Sequence, residues 1–181
     1  MKRVLVIGCP GAGKSTLAFK LGRLLDLPVI HLDKKFWQPG WAMTPSDIWR
    51  RKVAELVAQD MWVIDGTYDK SLDIRLPRAD TVVLLDFPRH LCLWRVLKRV
   101  FTSLGYVRFD MAEGCPEHID FGFFKWIWNY RRDYFPIINE NLRKHFNNGN
   151  LIVLKSPDEV SKFMRRVESR ENMDNIAGKH P

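Results

Sequence analysis

The residues from Gly8 to Ser15 read GCPGAGKS, and their types and spacing suit one kind of chemistry, the holding of a polyphosphate. In a GxxxxGK[ST] loop the backbone N–H groups turn inward on an anion, a conformation that Gly8, Gly11 and Gly13 leave open because they carry no Cβ. Cys9, Pro10 and Ala12 complete the loop, and Thr16 follows it in the helix-like run 14–25. Lys14 is expected to reach the β and γ phosphates as a flexible point charge, and the Ser15 hydroxyl to ligate Mg²⁺. The apolar run Val4, Leu5, Val6, Ile7 before the loop reads as a buried strand. The helix after it adds the positive end of its dipole to the same cavity.

Asp33 and Asp65 each close an apolar run, which puts them at the carboxyl edge of a parallel sheet, where open α/β folds bind ligands. Asp33 can accept a proton from a substrate hydroxyl or hold that hydroxyl in line with a γ-phosphate. A helix cap or a surface carboxylate is the competing reading. The stretch that follows, 34–41, does not read as helix and carries Trp37 and Trp41, either as a stacking pocket for substrate or as part of the core. Asp65 ends MWVID and is expected to face the Mg²⁺ and its waters. Asp86 ends the next strand, where capping the helix opened by Pro88 is its expected role.

Along that helix Arg95 and Arg99 are four apart and share a face, while Leu93, Leu97, Val100 and Leu104 recur on the apolar side. Further on, Arg131 or Arg132 is the candidate for a positive charge that steadies a transferring phosphoryl group. Each arginine taken singly also reads as a surface ion pair, so a catalytic role requires their convergence on one cavity. Cys115 and His118, in GCPEH, fall short of the ligand set of a structural zinc site. The aromatic run 121–130, FGFFKWIWNY, has the spacing of a core-facing helix before that of a base-stacking surface.

Positioning these groups takes five short strands, at 2–7, 28–32, 61–65, 81–86 and 151–154, alternating with helices at 14–25, 45–59, 88–104, 121–146 and 157–170. That alternation implies a parallel α/β sheet. Thr44 before Pro45 and Ser156 before Pro157 mark two helix starts, and Pro136 should kink or interrupt the fourth helix. Residues 105–120 are polar and weakly periodic between two patterned helices, as a lid would be, and 171–181 reads as a frayed tail. With 181 residues, 46% of them hydrophobic, the chain suits one domain over 1–170.

Three cysteines without paired spacing argue against a disulfide framework and for a reducing compartment, the cytoplasm by default. No leader is read before the first strand, and no apolar stretch approaches the ~18 residues of a membrane span. The net charge of +8 leaves open a nucleic-acid footprint or arginines gathered around a phosphorylated ligand. No helix-turn-helix, zinc-finger or RNA-recognition signature accompanies it.

With its phosphate loop, second-strand end His31-Leu32-Asp33, third-strand end Asp65-Gly66 and arginine-bearing helix before a lid, the chain resembles the adenylate kinase-like P-loop kinases over about residues 1–155. Within that group HLDKKFWQPGW (31–41), DGTY (65–68) and LDFPRHLCLWR (85–95) are similar to small bacterial proteins labelled DNA topology modulation proteins. The resemblance implies a three-layer P-loop NTPase fold with a five-stranded parallel sheet and a lid insert. It implies ATP and Mg²⁺, and phosphoryl transfer to a small acceptor. The label implies the alternative, an ATP-binding protein that acts on DNA. RVLKR, 95–99, matches the RxxxR that opens the adenylate kinase lid, and Arg108 with Asp110 supplies an RxD in it. DGTYDK replaces the family's DGFPR and lacks its arginine, so Arg75 or Arg78 is expected to stand in, with Tyr68 also facing substrate.

Overall fold

Five strands pair in one parallel sheet, in a computed structural model that describes residues 1–177. They are β1 (Arg3–Gly8), β2 (Val29–His31), β5 (Trp62–Asp65), β6 (Thr81–Leu85) and β7 (Asn150–Leu154), in the order β2-β5-β1-β6-β7. Between β2 and β5 a two-residue-per-strand hairpin, β3 (Trp37–Gln38) and β4 (Ala42–Met43), stands apart from the main sheet. Val4, Leu5, Val6 and Ile7 are all 0% exposed. Since successive strand residues point to opposite faces, both faces of β1 are covered by other layers. The β1–β5 register pairs Val6 with Asp65, and β1–β6 pairs Gly8 with Leu85, so the strand ends that carry chemistry are level with one another.

The helices are α1 (Lys14–Leu25), α2 (Leu32–Phe36), α3 (Ser46–Val57), α4 (Leu72–Arg75), α5 (Arg89–Ser103), α6 (Phe121–Asp133), α7 (Phe135–His145) and α8 (Pro157–Ala177). The apolar stripes of α1, α3, α5 and α6 bury Leu17 and Leu21, Trp49 and Val53, Val96 and Val100, and Ile127 in the common core. Pro136 has the expected effect. The chain leaves helix at Tyr134 and restarts, giving α6 and α7 with the proline in the first turn of the second. Ser156 caps α8 by accepting from the Glu159 amide at 3.2 Å, while the Glu159 carboxylate accepts from Lys155 N at 2.7 Å.

Other expectations need correction. Thr44 does not cap α3, because its hydroxyl donates to the Phe36 carbonyl and ties the hairpin to α2. Asp86 does not cap α5, since it is drawn instead to Arg131, 3.4 Å away. The segment after Asp33 is not free of helix, because α2 turns through Phe36 before the hairpin begins. The last helix runs past Arg170 to Ala177, so that part of the expected tail is helical, and 178–181 lie outside the described residues. No helix among the described residues is long and apolar enough to cross a membrane.

Candidate active site

The phosphate loop wraps the end of β1 and hands the chain to α1. Gly11 takes φ 80° and its missing Cβ would strike the Cys92 carbonyl of α5, so only glycine lets that helix pack under the loop. Lys14 Nζ donates to the Cys9 carbonyl at 3.2 Å, folded back over the loop that it would otherwise extend from. Arg95 Nη1 reaches the Ala12 carbonyl at 3.3 Å, with its guanidinium over the Phe87 ring at 5.4 Å. Thr67 laces the loop to the next strand end, accepting from Gly8 N at 3.1 Å and donating to Gly8 O at 2.8 Å. Behind the loop lie the buried thiols of Cys9 and Cys92, and the neighbouring Cys92 thiol together with burial pushes the Cys9 thiol up.

Ser15 and Asp65 meet at the mouth of the loop, the hydroxyl donating to Asp65 Oδ2 at 2.7 Å. Two hard oxygen groups side by side, one a carboxylate only 4% exposed, fit the octahedral oxygen preference of Mg²⁺ with its remaining ligands from water and phosphate. The other carboxylate oxygen takes a hydrogen bond at 2.5 Å from His31 Nδ1. Burial works against charge on that imidazole. The bond and charge of Asp65, reinforced by Asp110 and Asp33, outweigh it and raise the pKa.

Asp33 lies at the start of α2, where the Tyr68 hydroxyl donates to its Oδ1 at 2.6 Å. The residue retains some exposed surface, yet burial dominates at its carboxyl group and raises the pKa, against the Tyr68 bond and the charges of Lys14 and Arg108. Tyr68 is wedged between Phe36, 4.8 Å away between centroids, and Trp49, at 5.1 Å. Burial, followed by the Asp33 charge, pushes its phenol up, so it stays a donor at any working pH.

Arg75 overturns its assignment to substrate. It is 0% exposed, and its guanidinium donates to the carbonyls of Gly66 at 2.7 Å, Tyr68 at 2.9 Å and Ser71 at 3.3 Å, and to that of Thr67. Burial lowers its pKa to about 9. It is a spool around which the DGTY turn is wound, and it has no face open to a ligand. Arg78 likewise donates to a carbonyl, that of Val57 at 3.2 Å.

Within residues 105–120 the inward-facing side chains are packed and paired. Glu117 accepts ion pairs from Arg99 at 3.2 Å and Arg108 at 2.8 Å, and Arg108 also faces Asp110 at 3.5 Å. Met111, Ala112 and Cys115 form a small second core against Trp37 and Trp41. Trp41 Nε1 donates to the Pro116 carbonyl at 3.1 Å, and Cys115 Sγ to that of Gln38 at 3.1 Å. The two tryptophans thus join the hairpin to the segment above it. His118 stacks edge-on against Trp41. Arg131 pairs with Asp86 and lies over Phe135 at 5.5 Å, lining a cavity with Cys9 of the loop and Tyr130.

The constellation is therefore Lys14, Ser15, Asp65, Asp33 and Arg95 around the loop mouth, with Arg99 and Arg108 held by Glu117 beside them. No family model and no curated protein matches the chain, so the resemblance to the DNA topology modulation proteins is not confirmed. Solved structures do match. A shikimate kinase from Acinetobacter baumannii in complex with shikimate aligns with a TM-score of 0.60 at 15% identity, covering 100% of this chain and 96% of that one. A shikimate kinase from Bacteroides thetaiotaomicron aligns with a TM-score of 0.56 at 16% identity, covering 93% and 96%. The chain shares the fold of these two shikimate kinases. At this identity the likeness speaks for the architecture alone.

Sequence reasoning missed His31, Thr67, Tyr130 and Glu117 as parts of this site. Tyr130 comes from α6 to place its hydroxyl 3.3 Å from Thr67 Oγ1. The signal for His31 was present, in its position just before a strand-end aspartate, but its partner lies on a strand distant in sequence.

Proposed function

We propose that the protein is an ATP- and Mg²⁺-dependent phosphotransferase that moves the γ-phosphoryl group of ATP to a small hydroxyl- or phosphate-bearing acceptor. The observation that carries this reading is that Asp33, held by Tyr68 and under the influence of the Lys14 charge, stands beside a loop whose Ser15 and Asp65 suit the metal. The acceptor hydroxyl would lie between Asp33 and the γ-phosphate. Asp33 orients it and takes its proton as the bond to phosphorus forms.

Lys14 would leave the Cys9 carbonyl for the β and γ phosphates, and Ser15 with Asp65 would hold the Mg²⁺ that neutralises them. Arg95 already reaches the loop, and Arg99 and Arg108 can exchange Glu117 for a phosphoryl oxygen as charge develops. Residues 105–120, resting on the tryptophan hairpin, serve as the lid that excludes water. Trp37, Trp41 and Tyr68 then act as the wall that fixes hairpin, lid and base. Three free, buried cysteines suit work in a reducing cytoplasm.

The test is a panel of nucleosides, nucleotides, hydroxy acids and sugars assayed for ADP release with product identified by mass. A phosphorylated acceptor formed only with Mg²⁺ supports the proposal, and ATP binding with no transfer to any member favours a nucleotide-binding module instead.

A further inference from the structure

The parallel pairing of β2 with β5 sets His31 opposite Asp65 at the carboxyl edge of the sheet. Asp65 is consequently gripped at both oxygens, by His31 Nδ1 at 2.5 Å and by the Ser15 hydroxyl at 2.7 Å. The two side chains of the His31–Asp65 pair are 12% and 5% exposed, so water competes little for their bond. The imidazole also touches the 105–120 segment. Phe109 stands edge-on to it, with centroids 5.5 Å apart and planes at 84°, and touches Phe19 of α1 at 6.2 Å. Phe109 is otherwise 63% exposed, and its chain neighbours Arg108 and Asp110 are turned inward.

We propose that His31 is a positioning residue for the metal-facing carboxylate of Asp65, and that Phe109 couples the place of the lid to it. The proposal rests on reading Asp65 as a ligand of Mg²⁺. A carboxylate held at one oxygen by a neighbour offers the other in a fixed direction, and loss of such an outer partner typically weakens metal binding ~10- to 100-fold. Without His31, Asp65 can swing and take water. When the lid lifts, Phe109 leaves the imidazole and His31 loses the wall that steadies its ring. By linkage, whatever closes the lid tightens the metal, and the metal in turn favours closure by the same factor.

The experiment titrates Mn²⁺ into protein loaded with a non-hydrolysable ATP analogue and reads free Mn²⁺ by electron paramagnetic resonance, which needs no turnover. His31→Phe keeps a ring against Phe109 but loses the hydrogen bond, and its Mn²⁺ affinity should fall about 10-fold or more. His31→Asn places a donor near the position of Nδ1 and should recover most of that loss. Phe109→Ala touches neither oxygen ligand yet should weaken Mn²⁺ about 5-fold, the low end of site-to-site coupling. Thermal unfolding checks each fold, and if His31→Phe does not fold, His31→Leu removes the same donor. Parent-like Mn²⁺ affinity in the donor-less variant, or a loss that folded His31→Asn fails to recover, overturns the role of His31. Asp65→Asn separates the two levels, since parent-like Mn²⁺ binding there overturns the metal reading itself.

Discussion

The Tyr68 hydroxyl meets Asp33 at 2.6 Å, and Tyr68 makes that contact from a backbone φ of 34°, in the left-handed region that a bulky side chain rarely adopts. Such a conformation persists only where surrounding bonds over-determine it. Here Arg75 supplies them, binding the carbonyls of Gly66, Thr67 and Tyr68 itself. A buried cation thus holds a strained turn, the turn aims a phenol, and the phenol fixes the carboxylate proposed to act on substrate.

Asp33→Asn should keep the Tyr68 bond, raise the thermal stability of the ligand-free protein and cut phosphoryl transfer ~10²- to 10⁴-fold, the usual loss for a general base. The stability gain follows from linkage. Burial raises the folded pKa of Asp33 above its ordinary value of 3.8, so between the two values the folded state binds more protons than the unfolded. Its contribution is therefore fully present below the ordinary value and lost as pH rises through the folded one. Melting curves from pH 3 to 8 should show that component in the parent and not in Asp33→Asn. Full transfer activity in the variant would return Asp33 to a structural role.

Arg75→Ala should unfold at distinctly lower urea, because each buried carbonyl left unpaired costs about 1–3 kcal/mol and several would be exposed at once. Arg75→Lys should rescue little, since an ammonium cannot span the same fork. A variant with parental stability but a raised KM for the acceptor would instead restore the substrate role that its burial argues against.

Glu117→Gln should loosen residues 105–120 selectively. The two arginines it joins would then face one another with less to hold them, and Arg99, whose pKa burial and then Arg108 already lower, gains most from moving to solvent. Removing one partner of a buried ion pair costs ~3–5 kcal/mol, and a third of that felt locally is about a tenfold faster amide exchange. Hydrogen exchange read across 105–120 should accelerate by at least that factor while β1 stays protected. Equal exchange in variant and parent would mean that Glu117 is not the latch.

The strands and the phosphate loop were legible because each depends on neighbours in sequence: an apolar run, a glycine spacing, a proline after a capping serine. Asp33 and Asp65 were legible as strand ends. Their partners were not. His31 finds Asp65 only because β5 inserts between β2 and β1, an order that no local pattern encodes. Arg75 looked like a ligand-seeking cation because charge usually faces water, and only the carbonyls of the 66–71 turn make its burial affordable. The 105–120 segment looked loose because its order comes from ion pairs and from Trp37 and Trp41 across a long gap in sequence.

The most direct measurement follows radiolabelled γ-phosphate from ATP into the acceptor panel, with the parent protein and Lys14→Ala compared at matched Mg²⁺. The parent should label an acceptor in a Mg²⁺-dependent reaction, and a folded Lys14→Ala should lose that labelling and bind ATP more weakly, because it lacks the loop's own flexible charge. Equal labelling by both proteins, or a parent that binds no ATP, would contradict the assignment of this site to phosphoryl transfer.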